Sequence, residues 1–112
     1  MRLCVRLSES RIEQYPGRTI RTLLDPKSTG TSGLILSVIT YLPGCAVEPH
    51  SHEDQESIFV MKGKGTAKIG AELVDIEAGT AIYIPRGVTH SVMNPADEPI
   101  EAILVHAPLS DE

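Results

Sequence analysis

From residue 31 onward the chain is a succession of short β-branched and apolar runs, each cut by glycine or proline: "GLILSVITYLPG", "SIFVMKGKG", "TAKIGAELVDI", "TAIYIPRG", "THSVMNP" and "PIEAILVHAP". Runs of this length with turn residues at such spacing build the antiparallel sheets of a sandwich or barrel. Apolar positions at helical spacing are missing from the same region, so the expected class is all-β. "GKG" at 63–65 and "IGAEL" around Gly70 read as hairpin connections, while "EAG" at 77–79 and "NPADEP" at 94–99 carry turn chemistry. Pro85 followed by Gly87 marks another tight turn.

The first 30 residues are less patterned. "GRTIRTLL" at 17–24 reads as an edge strand, and "DPKSTGTSG" at 25–33 as a loop by composition. With 112 residues there is room for one domain and one site. The expected organisation is an N-terminal segment over residues 1–30, supplying an edge strand or a strand exchanged in a dimer, and one barrel domain over residues 31–112.

Charge removes several function classes. Ten lysines and arginines stand against 15 acids, and the basic residues are scattered, so no footprint for a phosphate backbone exists and nucleic acid is not an expected partner. The N-terminus is broken by charge every few residues, and no stretch has the length and apolarity to cross a bilayer. Cys4 and Cys45 lack CxxC spacing and are too few for a disulfide framework. These features give the expectation of a cytoplasmic protein without membrane partners.

One stretch concentrates ligating chemistry: "PHSHEDQE", residues 49–56, holds two of the four histidines. A solvated turn is one reading of it, a metal site the other. Side chains two apart on a strand share a face, so His50 and His52 project together, and Glu56 shares its parity with Ile58 and Val60. His90 lies in a separate run, where Val92 shares its face. These groups converge only if the strands curl towards one another, as in a closed barrel or jelly roll. Three imidazoles and a carboxylate suit a first-row divalent ion with positions left open, and the lack of thiolate argues against a closed structural zinc.

The spacings extend this pattern. Gly44 precedes His50 by five intervening residues; His52, Glu56 and Gly63 follow; downstream, Gly79, Pro85, Gly87, His90 and Asn94 form a second set. Together they resemble the two conserved motifs of the cupin superfamily, over the whole β region. The resemblance implies a double-stranded β-helix, a jelly-roll-like barrel, with one divalent metal on His50, His52, Glu56 and His90. In that superfamily the ion is manganese, iron, zinc, nickel, cobalt or copper. Its members include dioxygenases, decarboxylases, isomerases, lyases and proteins that only bind ligands.

Other residues complete the reading. His106, in phase with Leu104 on the last strand, is a candidate acid or base facing the interior. Glu48 shares parity with His50 and is a second acid–base candidate at the pocket mouth, although "EP" also reads as a plain strand end. Asp54 and Gln55 read as loop residues facing water, with orientation of the imidazoles as the alternative. Tyr41, Tyr83 and Phe59 read as core or interface. Phe59 and Met61 fall on the parity opposite Glu56 and Tyr83 alternates with Ile82 and Ile84, so apolar side chains face outwards and call for a homodimer partner. The expected function is a metal-dependent enzyme acting on a small oxygen-rich molecule; the alternative is a non-catalytic binding or storage-like module.

Overall fold

The computed structural model describes residues 1–107. A single 3-10 turn, Leu7–Glu9, precedes ten strands: β1 (Arg11–Tyr15), β2 (Arg18–Leu24), β3 (Ile35–Tyr41), β4 (Cys45–Ala46), β5 (Gln55–Lys62), β6 (Lys64–Ile69), β7 (Glu72–Glu77), β8 (Ala81–Ile84), β9 (His90–Asn94) and β10 (Ile100–Ala107). They form two antiparallel sheets, a large one in the order β1-β2-β3-β10-β5-β8 and a small one in the order β4-β9-β6-β7. The chain passes repeatedly from one sheet to the other, which is the jelly-roll, double-stranded β-helix expected from the sequence. Among the described residues no helix is long and apolar enough to cross a membrane.

Alternation drives the packing. Along β5 the side chains of Glu56, Ile58 and Val60 are buried while Ser57, Phe59 and Met61 are exposed, as the period of two requires. Cross-strand register lines Ile20, Ile39, Ala102 and Val60 into one inner row and Ser37, Leu104, Ile58 and Ile82 into the next. Ala67, Ile76 and Val92 of the small sheet close on these rows in one apolar core. Each buried isoleucine, leucine or valine contributes about 1.5–3 kcal/mol relative to exposure, so this face fixes the register of the strands.

Two connections need glycine. Gly70, with φ of +59°, turns the tight β6–β7 hairpin that pairs Ile69 with Glu72, as read from the sequence. "GKG" at 63–65 is not a hairpin. β5 and β6 belong to different sheets, and Gly63 carries the chain across with φ of +91°. A Cβ at Gly63 would lie 2.6 Å from the Pro99 carbonyl oxygen, so both conformation and close approach exclude other residues.

Residues 18–24 are not an edge strand in this fold. β2 is paired on one side with β1 and on the other with β3, and the free edge belongs to β1. The loop that follows is organised by Asp25, whose carboxylate accepts from the Ser28 amide and hydroxyl at 2.6 Å and from Arg11 at 2.8 Å. At the far end of β9, fully buried Asn94 donates to the carbonyls of Tyr41, Leu42 and Glu98 and accepts from the Ala96 amide.

Candidate metal centre

The site is built where the small sheet meets the start of β5. Residues 45–50 run alongside β9, with the Val47 amide donating to Val92, and His50 and His90 exchange two backbone hydrogen bonds of 3.0 and 2.9 Å. That pairing sets the two imidazoles side by side, with ring centroids 4.4 Å apart. The Gly87 amide donates to the His52 carbonyl at 2.9 Å and so ties the Pro85–Gly87 turn to the segment carrying His52. Glu56 enters from the large sheet, flanked in register by His106 on β10 and Ile84 on β8.

Second partners orient the imidazoles. Nδ1 of His50 lies 2.9 Å from the Glu48 carbonyl, and Nδ1 of His90 lies 2.9 Å from the Val88 carbonyl. His52 Nδ1 faces the Asp54 carbonyl at 3.2 Å and the Asp54 carboxylate at 2.5 Å. Carbonyl and carboxylate oxygens only accept, so each Nδ1 carries the proton and each Nε2 turns a lone pair away from it. One ligating nitrogen from each of His50, His52 and His90 falls within 4.8 Å of the others.

Two observations fit this donor set to a divalent cation. His90 Nε2 is buried with no hydrogen-bond partner, a cost that a bound ion would remove. In addition, His52 Nε2 lies 2.8 Å from Glu56 Oε2, and a lone pair facing a carboxylate oxygen at that distance requires a proton or a cation between them. The same oxygen is 3.0 Å from His106 Nε2 and 3.7 Å from His90 Nε2. His52, Glu56 and His106 thus form a second ligand-competent group that shares His52 with the first.

The electrostatics follow from this crowding. Burial pushes the Glu56 carboxyl up, but the His106 hydrogen bond and the neighbouring imidazoles more than offset it and hold the group below its usual value. Burial lowers His90 and outweighs its bond to Val88 and the nearby carboxylate, which favours the neutral ring. For His106 the balance reverses: burial lowers it, yet the Glu56 bond and the Glu56 and Asp54 charges raise it above its ordinary value.

The structure brings together His50, His52, Glu56, His90 and His106, all lining one cavity of about 240 Å³. Glu48 stands differently. Its backbone carbonyl orients His50, whereas its side chain is exposed and lines an outer groove that adjoins the cavity. Asp54 is not a water-facing loop residue: half-buried, it contacts His52 and lies 3.9 Å from His106 Nδ1. Gln55 does turn away, accepting from the Tyr83 hydroxyl at 2.7 Å on the outer face. Tyr15, Arg18 and Tyr41 also line the cavity. Tyr41 belongs to the buried core, as expected, and also faces the cavity; nothing near Tyr15 or Arg18 in the sequence marks them.

Residues 37–106 match the family model of the cupin domain. The chain is a cupin. This cupin is 27% identical over 95 residues to TcmJ, a tetracenomycin polyketide synthase protein of Streptomyces glaucescens, covering 84% of the chain and 64% of that protein. Dimethylsulfoniopropionate lyase DddW of Ruegeria pomeroyi is 29% identical over 73 residues, 65% of this chain and 48% of the lyase. The chain therefore spans only about half to two thirds of the length of these curated relatives. Among solved structures, a predicted oxalate decarboxylase from Thermotoga maritima shares the cupin fold with a TM-score of 0.82 at 23% identity, covering 96% of this chain and 100% of that one.

Proposed function

We propose that this cupin is a metal-dependent enzyme acting on a small oxygen-rich molecule, with one divalent transition metal on His50, His52, Glu56 and His90. The observation that carries the reading is the convergence of one nitrogen from each of three imidazoles, each with its Nδ1 engaged by a main-chain carbonyl, on a cavity where His90 Nε2 is buried without a hydrogen-bond partner. A divalent ion bound there supplies a Lewis acid with positions open to substrate oxygens. Its identity among manganese, iron, zinc, nickel, cobalt and copper is left to elemental analysis.

The chain's own residues do the rest. His106 donates from Nε2 to Glu56 and holds that carboxylate in place, and it is the titratable group best set to give or take a proton inside the cavity. Glu48, exposed on the outer groove, is less well set for that role. A cavity of about 240 Å³ favours a small substrate, since sites for drug-sized ligands run to roughly 300–1,000 Å³. Relatives named for polyketide synthesis and for cleavage of dimethylsulfoniopropionate support chemistry on small molecules.

The test is turnover of hydroxy acids, keto compounds, sugars and phenolics by protein carrying its native metal, with oxygen uptake followed in parallel. Turnover abolished by chelation and restored by metal supports the enzyme. Tight ligand binding without turnover across the panel would favour the binding module instead.

We also propose a homodimer. Phe59, Met61 and Tyr83 are 45%, 43% and 56% exposed on the outer face of the large sheet, and register places Phe59 in line with Ile103 and Val38. An apolar row of this kind on a sheet exterior is covered in a stable assembly.

A further inference from the structure

Arg18 begins β2, opposite Tyr15 on β1 and Tyr41 on β3 in a row that continues to fully buried Ile100. Cross-strand partners share a face, so its side chain belongs to the interior of the jelly roll. There its guanidinium carbon lies 5.2 Å from the centroid of the Tyr15 ring. Its Nε is buried with no hydrogen-bond partner, and among the described residues no carboxylate forms an ion pair with it. A guanidinium has five donors arranged to grip a carboxylate in a fork, and a buried donor left unused is costly. A π face satisfies none of those N–H groups.

Position gives the unused Nε–H a purpose. Arg18 lines the cavity that contains the imidazoles and Glu56. With Tyr15, Val47 and His50 it also lines an outer groove of about 190 Å³, so it stands where cavity and groove meet. Glu48 lines the same groove without pairing with it. The wall of the cavity that Arg18 shares with the imidazoles is largely apolar, with Ile20, Ile39, Val47, Val92 and Leu104. Tyr41 adds one polar atom. Burial pushes its phenol well up, so at neutral pH it is a hydrogen-bond donor and never an anion.

We propose that Arg18 grips the carboxylate of the substrate, which makes a small carboxylic acid with a second oxygen function the substrate class of the metal site. The acid lies along the apolar wall with its hydroxyl or carbonyl oxygen towards the imidazoles and its carboxylate on Arg18. This deepens the metal-site reading and rests on it for the second oxygen. Arg18 is a binding and specificity residue here, and the Tyr15 ring beneath it holds the guanidinium plane in place.

The experiment uses zinc-loaded and metal-free protein, titrated with pyruvate and lactate and with their uncharged counterparts pyruvamide and lactamide. The Arg18 Nε–H resonance is assigned by its absence in Arg18→Gln, and metal per chain is measured on every sample. The acids should shift the Arg18 Nε–H and bind at least about tenfold more tightly than the amides, a ratio set by charge-assisted hydrogen bonds. Arg18→Gln should lose that preference at unchanged metal content, and Arg18→Lys should recover part of it. Equal binding of acid and amide, acid binding without a shift of Arg18 Nε–H, or no binding of either acid would overturn the proposal. Should Arg18→Gln fail to fold, Arg18→Lys, which also lacks the Nε–H, gives the same assignment, and the shift is then read on the unsubstituted protein. Absence of metal from zinc-treated protein would instead defeat the metal-site reading, and the Arg18 shift in metal-free protein would still decide the role of Arg18.

Discussion

Asn94→Ala should remove a large part of the stability of this fold without touching the site directly. Asn94 is the last residue of β9, four beyond His90, and is fully buried. Its two amide protons serve three carbonyls, at 3.2 Å (Tyr41), 3.3 Å (Leu42) and 2.8 Å (Glu98), and its oxygen accepts from the Ala96 amide at 3.2 Å. Counting about three effective bonds at about 1 kcal/mol each, with a further contribution from the void, gives a loss of about 3–4 kcal/mol. Asn94→Asp should lose more, since a carboxylate would face the same carbonyls as a buried acceptor without donors. The assay is urea unfolding of metal-free protein followed by far-ultraviolet circular dichroism, so that metal linkage does not enter. A loss below about 1 kcal/mol for Asn94→Ala, with the urea slope unchanged, would refute the reasoning, because the freed carbonyls would then have found other partners.

The remaining expectations concern acid stability and assembly. Asp25 is held at about 2 by its hydrogen bonds to the Ser28 hydroxyl and amide and by Arg11, below the ordinary value of 3.8. Its folded value is depressed, so its contribution is complete above about pH 4 and is lost as pH falls through about 2; with Arg11 half-exposed, that contribution is on the order of 1–2 kcal/mol. Asp25→Asn should flatten this part of the profile, and identical pH dependence of urea midpoints in variant and parent would contradict it. Phe59→Asp should turn the proposed dimer into a monomer in sedimentation at micromolar protein while leaving metal content unchanged. A parent protein that sediments as a monomer would dispose of the dimer altogether.

Much of this architecture was readable from local pattern. The alternation along residues 56–61 put Glu56, Ile58 and Val60 inside and Phe59 and Met61 outside, because one buried face leaves a strand no other register. Strand parity likewise placed His106 and Leu104 inwards. "GKG" reads locally as a hairpin yet joins two sheets, for a physical reason. Turn residues announce that the chain changes direction, but the sheet joined by the next strand depends on pairings far away in sequence, here β6 with β9 and β7. Asp54 was placed in water because a bend beside charged residues is usually solvated, and only the converging rings of His52 and His106 draw it in. Arg18 left no local trace. Its place in the cavity follows from the registers β1–β2 and β2–β3, which no motif encodes.

The central claim is tested most directly by metal bound per chain, measured by elemental analysis after stripped protein is dialysed against excess zinc, in the parent and in His90→Ala and His106→Ala. The parent should hold about one ion per chain, as expected of a site with three imidazoles and a carboxylate. His90→Ala should lose it, because Nε2 of His90 is buried with no hydrogen-bond partner to compete with an ion. His106→Ala should retain it, since that ring's bond is to the Glu56 oxygen. Full metal in His90→Ala together with loss in His106→Ala would move the ion to the group of His52, Glu56 and His106 and contradict the account.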